Sequence, residues 1–336
     1  MNIYKIAQLA GVSPATVSKV INGKDDIGEE TRTRILKIIE DNHFIPKVST
    51  SNMDTIAIFA PIGKELQLGN PYFSLILSGV GDIAYDNDFG LTIVSSSRIP
   101  KGKQEFLRYC RQRKIVGGIF SFLTVDDRYI INIANEFPSV ILSHRFEGHP
   151  IGSVQTDNFN GAYEAIKYLI SCGHKNIMFI IPGMQHMDHR MRSKGGEKAL
   201  EEANFVKNAD SIDDSINMSD TDLGYYLKQV MEKENRPTAI FAANDMEALR
   251  IMKILQDNHM NIPEDISIIG FDDNYFAAHT NPPLTTVFQP IYEVGQEACR
   301  MLIGMINNGE KQADTHIMLK TKLMIRKSVK KMNDKA

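Results

Sequence analysis

The sequence between residues 4 and 22 reads YKIAQLAGVSPATVSKVIN, and its pattern predicts two short helices joined by a tight turn. Gly11 ends the first helix, because glycine takes the positive φ of a turn without strain. Ser13 and Pro14 then begin the second helix as an N-cap and a proline at the first helical position. The apolar residues at helical spacing are Ile6, Leu9 and Ala10 in the first helix and Val17, Val20 and Ile21 in the second.

The other residues of the second helix form a small, polar face of the kind that enters the major groove of DNA. Lys19 can donate to guanine O6 or N7 or to a phosphate. Thr16 and Ser18 can bond phosphate oxygens, and Ala15 can pack on a thymine methyl. An ordinary pair of surface helices is the alternative, but the whole run favours DNA binding. The predicted DNA-contacting residues are Tyr4, Ser13, Pro14, Ala15, Thr16, Ser18, Lys19 and Asn22.

A third helix and a linker follow. Acidic residues in a first turn predict a helix from about Glu29 to Asp41, with an apolar face made by Ile35, Leu36, Ile38 and Ile39. The stretch PKVSTSNMD (46–54) has no amphipathic period, which is typical of a linker. We therefore predict a helix-turn-helix DNA-binding headpiece over residues 1–46, a linker or short hinge over 47–54, and a large body over 55–336.

In the body, predicted strands alternate with helical segments, which is the βα pattern of a parallel sheet. The predicted strands are 55–59, 91–94, 118–122 and 140–142 in a first run, and 176–181, 239–242 and 266–271 in a second. Two such runs predict an α/β body of two doubly wound lobes. A ligand cleft is expected between the lobes, at the strand ends.

Composition limits the classes of protein that remain. The net charge of −3 carries no global signature of nucleic-acid binding, so the prediction of DNA binding depends on local residues. Cys110, Cys172 and Cys299 lie far apart without a CxxC pair, which predicts reduced core thiols and no metal site. The sequence has neither a secretory h-region near residue 1 nor a run of ~20 apolar residues, so we expect a cytoplasmic protein without a membrane partner.

The segment 4–22 closely resembles the LacI/GalR family of bacterial repressors, and the likeness extends over nearly the full length of the chain. Further blocks similar to those of the family are Asn70-Pro-Tyr-Phe73, Asp157-Asn158, Gly161-Ala162, Gly173-His174, Arg192 three residues before Gly195, and the segments 239–245, 262–273 and 282–286. The resemblance implies a periplasmic-binding-protein-like sensor, a homodimer and a DNA operator with two half-sites. We assign the N-lobe to about 55–156 and 288–316, and the C-lobe to about 157–287 and 317–329.

The resemblance also implies a small-molecule effector in the cleft, with a sugar or sugar derivative expected. Carboxylates and arginine forks bond vicinal hydroxyls, and aromatic faces stack on the apolar face of a sugar ring. Taken alone, each residue fits a surface loop or a satisfied buried pair better, so the prediction depends on the set. The implied effector-binding residues are Tyr72, Phe73, His144, Arg145, Asp157, Arg192, Asn244 and Asp272. A purine or a partner phosphoprotein as the regulating ligand stays open.

Three positions depart from the family pattern. His144 stands where Asp is common, which removes a carboxylate from the cleft and offers either a pH-dependent group or a structural histidine. Gly196 stands where an aromatic residue is common, which predicts that this wall makes the cavity wider or is softer. Lys19 stands where arginine is common, and because lysine lacks the bidentate fork, we expect weaker guanine discrimination.

The linker is also shorter than is usual in the family and lacks an Ala-rich hinge helix with a leucine that wedges into the minor groove. Val48 is the only obvious substitute wedge. Our hypothesis is that this protein bends DNA less than its relatives do.

Two other classes of protein are alternatives. An enzyme is rejected, because Gly79-Val-Gly-Asp-Ile-Ala84 fits a dinucleotide fingerprint but lies inside a predicted helix, 72–86. No hydrolase, metalloprotease or P-loop motif is present, so no catalytic residue, metal or cofactor is predicted. The serines 95–97 are interpreted as a polar loop at the cleft edge. A transport-associated binding protein would share the body, but the headpiece argues against it.

Overall fold

A computed structural model describes residues 2–21, 26–42, 53–63, 68–124, 126–143 and 145–332. The chain divides into two compact units, Met1–Asp54 and Thr55–Ala336, and each is described by itself. The predicted contact residue Asn22, most of the linker with Val48, and the predicted effector residue His144 lie outside the described residues.

The first unit consists of three helices, in the positions that the sequence predicts. They are α1 (Ile3–Ala10), α2 (Pro14–Ile21) and α3 (Glu29–Asp41). Ile6, Val17 and Ile35 are fully buried where the three helices meet. Gly11 caps α1 in the left-handed region, with φ 63°, as the turn requires. The unit is thus a small helical domain with a helix-turn-helix at its start.

Two residues that the sequence pattern assigns to the apolar faces of this unit are exposed. Leu9 is 50% exposed, and Ala7 is buried beside Ile6 in its place. Leu36 is 48% exposed, whereas Ile35 is buried. Each of these helices buries only a narrow stripe of residues against the other two. A leucine one position outside that stripe therefore faces solvent.

The first lobe of the second unit contains a six-stranded sheet in which every pair of neighbouring strands is parallel. Its order is β10-β5-β4-β3-β1-β2, with strands β1 (Thr55–Ala60), β2 (Gly90–Ser95), β3 (Ile115–Phe120), β4 (Ser139–Leu142), β5 (Gly152–Thr156) and β10 (His316–Leu319). Its helices are α4 (Pro71–Asp86), α5 (Lys103–Gln112), α6 (Tyr129–Ala134) and α11 (Ile291–Asn308). Apolar clusters cover both faces of the sheet, as a parallel sheet requires.

The second lobe contains a five-stranded sheet in the order β11-β9-β8-β7-β6. Its strands are β6 (Ile177–Ile180), β7 (Ala239–Ala242), β8 (Ser267–Asp272), β9 (Thr285–Phe288) and β11 (Lys322–Met324). Only the edge strand β11 runs antiparallel, on β9. The helices are α7 (Asn158–Ser171), α8 (Met187–Glu202), α9 (Asp220–Met231) and α10 (Asp245–Asp257). The predicted fold class, a helical headpiece with two α/β lobes, is confirmed.

The chain passes between the lobes at three places: from β5 to α7, from β9 to α11, and from β10 to β11. At these crossings the hydroxyl of Thr156 donates a hydrogen bond to the Gln289 side chain. A single backbone bridge, between Thr124 and His186, also joins the two lobes across the cleft in the described part of the chain. The three crossings let the lobes move as bodies about one hinge region.

Two structural expectations are met, one for the cysteines and one for the glycine-rich segment. Cys110, Cys172 and Cys299 are free and buried. Within the described residues, no helix is long and apolar enough to cross a membrane. The glycine-rich segment 79–84 lies inside the continuous helix α4, so it is not a phosphate-binding turn.

Gly79 is required by the contact between α4 and α11. A Cβ atom on Gly79 would lie 2.1 Å from the Tyr292 carbonyl oxygen, and one on Gly295 would lie 2.5 Å from the Ile76 carbonyl oxygen. Two helix backbones approach this closely only when no side chain stands between them. Gly304, also in α11, faces open space.

We therefore predict that Gly79→Ala lowers the free energy of unfolding by about 1–3 kcal/mol or more, because a backbone clash cannot relax without separating the helices. Gly304→Ala, the matched control, should raise it by up to about 1 kcal/mol through helix propensity. Urea unfolding of both variants measures this. Equal effects in the two variants would contradict the close-contact account.

Candidate functional site: the cleft between the lobes

A cavity of about 780 Å³ lies between the two lobes of the second unit. Its first-lobe wall is partly aromatic and includes Asn70, Tyr72, Phe122, Asp127, Tyr129 and Ser143. Its second-lobe wall is more polar and includes His186, Asp188, His189, Arg192, Asn244 and Asp272. The volume falls within the range of roughly 300–1,000 Å³ that is usual for small-molecule sites.

Arg192, on α8, is the central group of the second-lobe wall and is only 2% exposed. Its Nε donates to the Asn158 side-chain oxygen at 2.7 Å, and its Nη1 donates to the Ala243 carbonyl oxygen. The guanidinium also lies 3.9 Å from the centre of the Phe271 ring, and 3.5 Å separates Nη1 from Oδ1 of Asp272. A buried cation is tolerated because these partners replace its water.

Asp272 ends β8 in a strained conformation, with φ 127°. Gln289 donates to its Oδ1 at 2.6 Å, so the carboxylate joins the hinge segment to the cavity floor. Burial raises the pKa of Asp272 to about 7; nearby Arg192 opposes this rise and nearby Asp245 adds to it. A strained, perturbed carboxyl that faces a cavity is typical of a binding site.

Asp188 and His189 open α8 and face the same cavity. Burial alone would raise the pKa of Asp188, but His189, Arg192 and His186 together hold it below its ordinary value, so Asp188 is charged. Burial lowers the pKa of His189, and its Nδ1 lies 2.9 Å from the Gly183 carbonyl oxygen. Because a carbonyl only accepts, Nδ1 carries the proton and Nε2 is an acceptor. Both residues therefore present acceptors to a ligand.

The opposite wall offers ring faces and hydroxyls. The Tyr72 hydroxyl lies 2.8 Å from the Ser143 hydroxyl, and burial raises the pKa of Tyr72 well above its ordinary value. The rings of Tyr72 and Phe122 pack edge to face, with 5.6 Å between their centres. Lys101 lies 5.4 Å from the centre of the Tyr129 ring. A partly aromatic wall facing a wall of charged and polar groups suits a molecule with one apolar face and several hydroxyls.

A buried network supports the cavity floor from below. Asp245 is fully buried; its Oδ2 accepts from the Asn274 backbone N–H at 2.8 Å, and its Oδ1 accepts from the Thr286 hydroxyl at 2.5 Å. Arg326 donates to Asp273 at 2.6 Å in the same loop. These bonds fix the loop 272–274, and with it the position of the Asp272 side chain.

The structure brings together half of the predicted effector residues. Tyr72, Arg192, Asn244 and Asp272 line the cavity. The other described residues of the set do not. Phe73 is fully buried in the first-lobe core, Arg145 is exposed away from the lining, and Asp157 caps α7 by accepting from the Asn160 N–H.

Sequence reasoning missed Asp188, His189 and Phe122, although the run HMDHRMR (186–192) has four ionisable residues directly before Arg192. The expectation for Gly196 was wrong. A Cβ atom there would lie 2.8 Å from the Phe179 ring, so this position packs in the second-lobe core and forms no cavity wall.

The predicted DNA-contacting residues in the described part of the chain cluster at the helix-turn-helix. Tyr4, Ser13, Ala15 and Lys19 are exposed, and Pro14, Thr16 and Ser18 are half-buried. The Ser13 hydroxyl caps α2 by accepting from the Thr16 N–H at 3.1 Å. Lys19 forms an ion pair with Asp26 at 2.5 Å, which must be exchanged if Lys19 contacts a base.

Comparisons with known proteins agree with this architecture. Residues 2–47 match the model of bacterial regulatory proteins of the lacI family, and residues 166–329 match that of a periplasmic binding protein-like domain. The chain is 32% identical over 343 residues to the HTH-type transcriptional regulator DegA of Bacillus subtilis (strain 168), covering 98% of both proteins.

Two solved structures show the same fold at 26% identity. The CelR–cellobiose complex matches with a TM-score of 0.70, covering 98% of this chain and 99% of that one. A regulator from Enterococcus faecium with bound ribose matches with a TM-score of 0.70, covering 83% of this chain and 100% of that one. The chain belongs to the lacI family of bacterial regulatory proteins, and it is a DNA-binding transcriptional regulator.

The raised pKa of Asp272 predicts a pH dependence. Between its ordinary value of 3.8 and about 7, the folded chain holds a proton on Asp272 that the unfolded chain releases. Stability contributed by this carboxyl therefore falls as the pH rises through that window. The free energy of unfolding of the wild type, minus that of Asp272→Asn, should decrease between pH 5 and pH 8.

Asp265→Asn is the control, since an N–H bond from Asn261 lowers the pKa of this carboxyl. Its folded and unfolded values both lie below pH 5, so its difference from the wild type should stay constant over the same range. A constant difference for Asp272→Asn as well would contradict the raised pKa.

Proposed function

We propose that this regulator is a repressor that binds a palindromic operator as a homodimer and responds to a small carbohydrate-like effector in the cavity between its lobes. The observation that carries the proposal is that cavity, in which Arg192, Asp188 and Asp272 face Tyr72 and Phe122. The same chain contains a helix-turn-helix, so ligand sensing and DNA binding belong to one molecule.

The chemistry of the cavity supports a polyhydroxylated ligand. A sugar has an apolar ring face that stacks on aromatic side chains and hydroxyls that bond to carboxylates and arginine. The two walls supply these partners separately, one from each lobe. The bound cellobiose and ribose of two relatives support the same class of ligand.

Physical constraints support a dimer. One eight-residue recognition helix reads few bases, and helix-turn-helix proteins gain affinity by placing two such helices on half-sites one helical turn apart. The second unit exposes large apolar side chains that an isologous interface would cover, among them Leu75, Tyr85, Tyr275 and Phe276.

The effector acts by changing the relative position of the lobes. A ligand that binds both walls favours a closed arrangement, and its effect on DNA affinity is limited by its preference for one arrangement over the other. Induction is the default expectation, in which the favoured arrangement misplaces the headpieces. Corepression follows from the same physics with the opposite preference.

Selection of retained sequences from a randomised DNA pool tests the operator. Recovery of a palindromic site is expected, whereas recovery of no specific site would contradict the proposal. On the recovered site, Lys19→Ala should weaken binding by roughly 1–3 kcal/mol and relax the preference at one base pair. Lys37→Ala, an exposed lysine on α3, is the matched control. A uniform loss on all sequences would instead place Lys19 on a phosphate.

Thermal unfolding with a panel of pentoses, hexoses and disaccharides, beginning with ribose and cellobiose, tests the effector. A sugar at about 100 times its Kd should add about 2.7 kcal/mol to the stability of the wild type. Asp188→Asn should lose most of this gain, because an amide accepts fewer hydroxyl bonds than a carboxylate.

Asp213→Asn changes a carboxylate outside the cavity that is paired with Lys207, and it should keep the full gain. Identical gains in the wild type and Asp188→Asn would show that the sugar binds elsewhere.

A further inference from the structure

The second unit exposes a cluster of cations at the C-terminal end of α5. Residues 108–114 read RYCRQRK, with four cations and no acidic residue, in a chain whose net charge is −3. All four cations are exposed, and we call them the basic patch: Arg108, Arg111, Arg113 and Lys114.

Two of the four charges in the basic patch, those of Arg108 and Arg111, are poorly compensated. Within the part of the chain that the structure describes, Arg108 and Arg111 have no ion pair or hydrogen bond from their side chains, and their spacing puts them on one helix face. The Arg113 guanidinium lies 3.9 Å from the centre of the Tyr109 ring, which fixes its plane. Cations gain from a helix C-terminus, but two on one face repel each other, and an external anion removes that repulsion.

The position of the basic patch favours DNA as that anion. The Lys114 carbonyl oxygen accepts from the Thr55 N–H at 3.0 Å, and Thr55 is where the chain arriving from the headpiece enters the body. Residues 42–54 connect α3 to β1 and can span at most about 45 Å. DNA bound by the headpiece is therefore linked through the chain to this end of the body. In the sheet, β2 and β3 lie on opposite sides of β1. The acidic residues Asp86 and Asp88 precede β2, so the basic patch is confined to the β3 side.

We propose that the basic patch binds backbone phosphates of duplex DNA that flanks the site read by the headpiece. Arginine forks match phosphate oxygens, and such bonds add affinity without reading sequence. The proposal rests on the DNA-binding function and is independent of the dimer and the effector. In this proposal, the body of the protein contacts DNA directly.

The test uses the full chain with Arg108→Gln, Arg111→Gln and Arg113→Gln combined. The matched control combines Lys175→Gln, Lys194→Gln and Lys327→Gln, which removes three exposed cations from the second lobe. Binding is measured by fluorescence anisotropy over a salt series, on duplexes of about 20 and 40 bp with the selected site at the centre. If selection gives no site, a random-sequence duplex of about 40 bp replaces them.

On the longer duplex, the patch variant should bind roughly tenfold more weakly at low salt. Its slope of log K against log salt should be less negative by about 0.9 for each phosphate that the variant no longer neutralises. The control should match the wild type, and the patch variant should match it on the shorter duplex.

Equal binding by the two variants on the longer duplex would overturn the proposal and leave the patch to another anion, such as an acidic protein surface. Equal losses on both duplexes would also overturn it, because flanking DNA would then play no part.

Discussion

The arrangement of the cleft depends on the burial of one cation. The Arg192 side chain is 2% exposed, and a buried guanidinium is stable only when fixed acceptors replace its water. Those acceptors come from three parts of the second lobe: Asn158 at the start of α7, the Ala243 carbonyl oxygen after β7, and Asp272 at the end of β8. Satisfying Arg192 therefore aligns the ends of two strands and two helices into one cavity wall.

Hydrogen bonds connect this cavity wall to the hinge between the lobes. Asp272 accepts from Gln289, and Gln289 accepts from Thr156, so the cavity floor is bonded to two of the three crossings between the lobes. A ligand that bonds to Asp272 and also contacts the first lobe changes the groups that set the angle between the lobes. Under the proposed function, this change in the angle between the lobes alters the affinity of the regulator for DNA.

Much of this architecture could be predicted from the sequence, and the exceptions have physical reasons. The helices of the headpiece and the first strands of each lobe are predictable because they have strong periodicity and clear caps. The edge strands β10 and β11 are short and only partly buried, and each contains no more than three consecutive apolar residues, which is too few to indicate a strand. The family resemblance selects Phe73, Arg145 and Asp157 by their positions along the chain. It does not show in which direction each side chain points. Asp188 and His189 were missed because charged residues at the start of a helix fit an exposed turn equally well.

The central claim is that the cavity and the headpiece share one equilibrium, and calorimetry with a sugar that binds tests it most directly. The dissociation constant of the sugar is measured for the free protein and for the protein saturated with its selected DNA site, and the DNA affinity is measured with and without sugar. Linkage requires both ratios to differ from one and to be equal. A sugar affinity that is the same on free and DNA-bound protein would contradict the account.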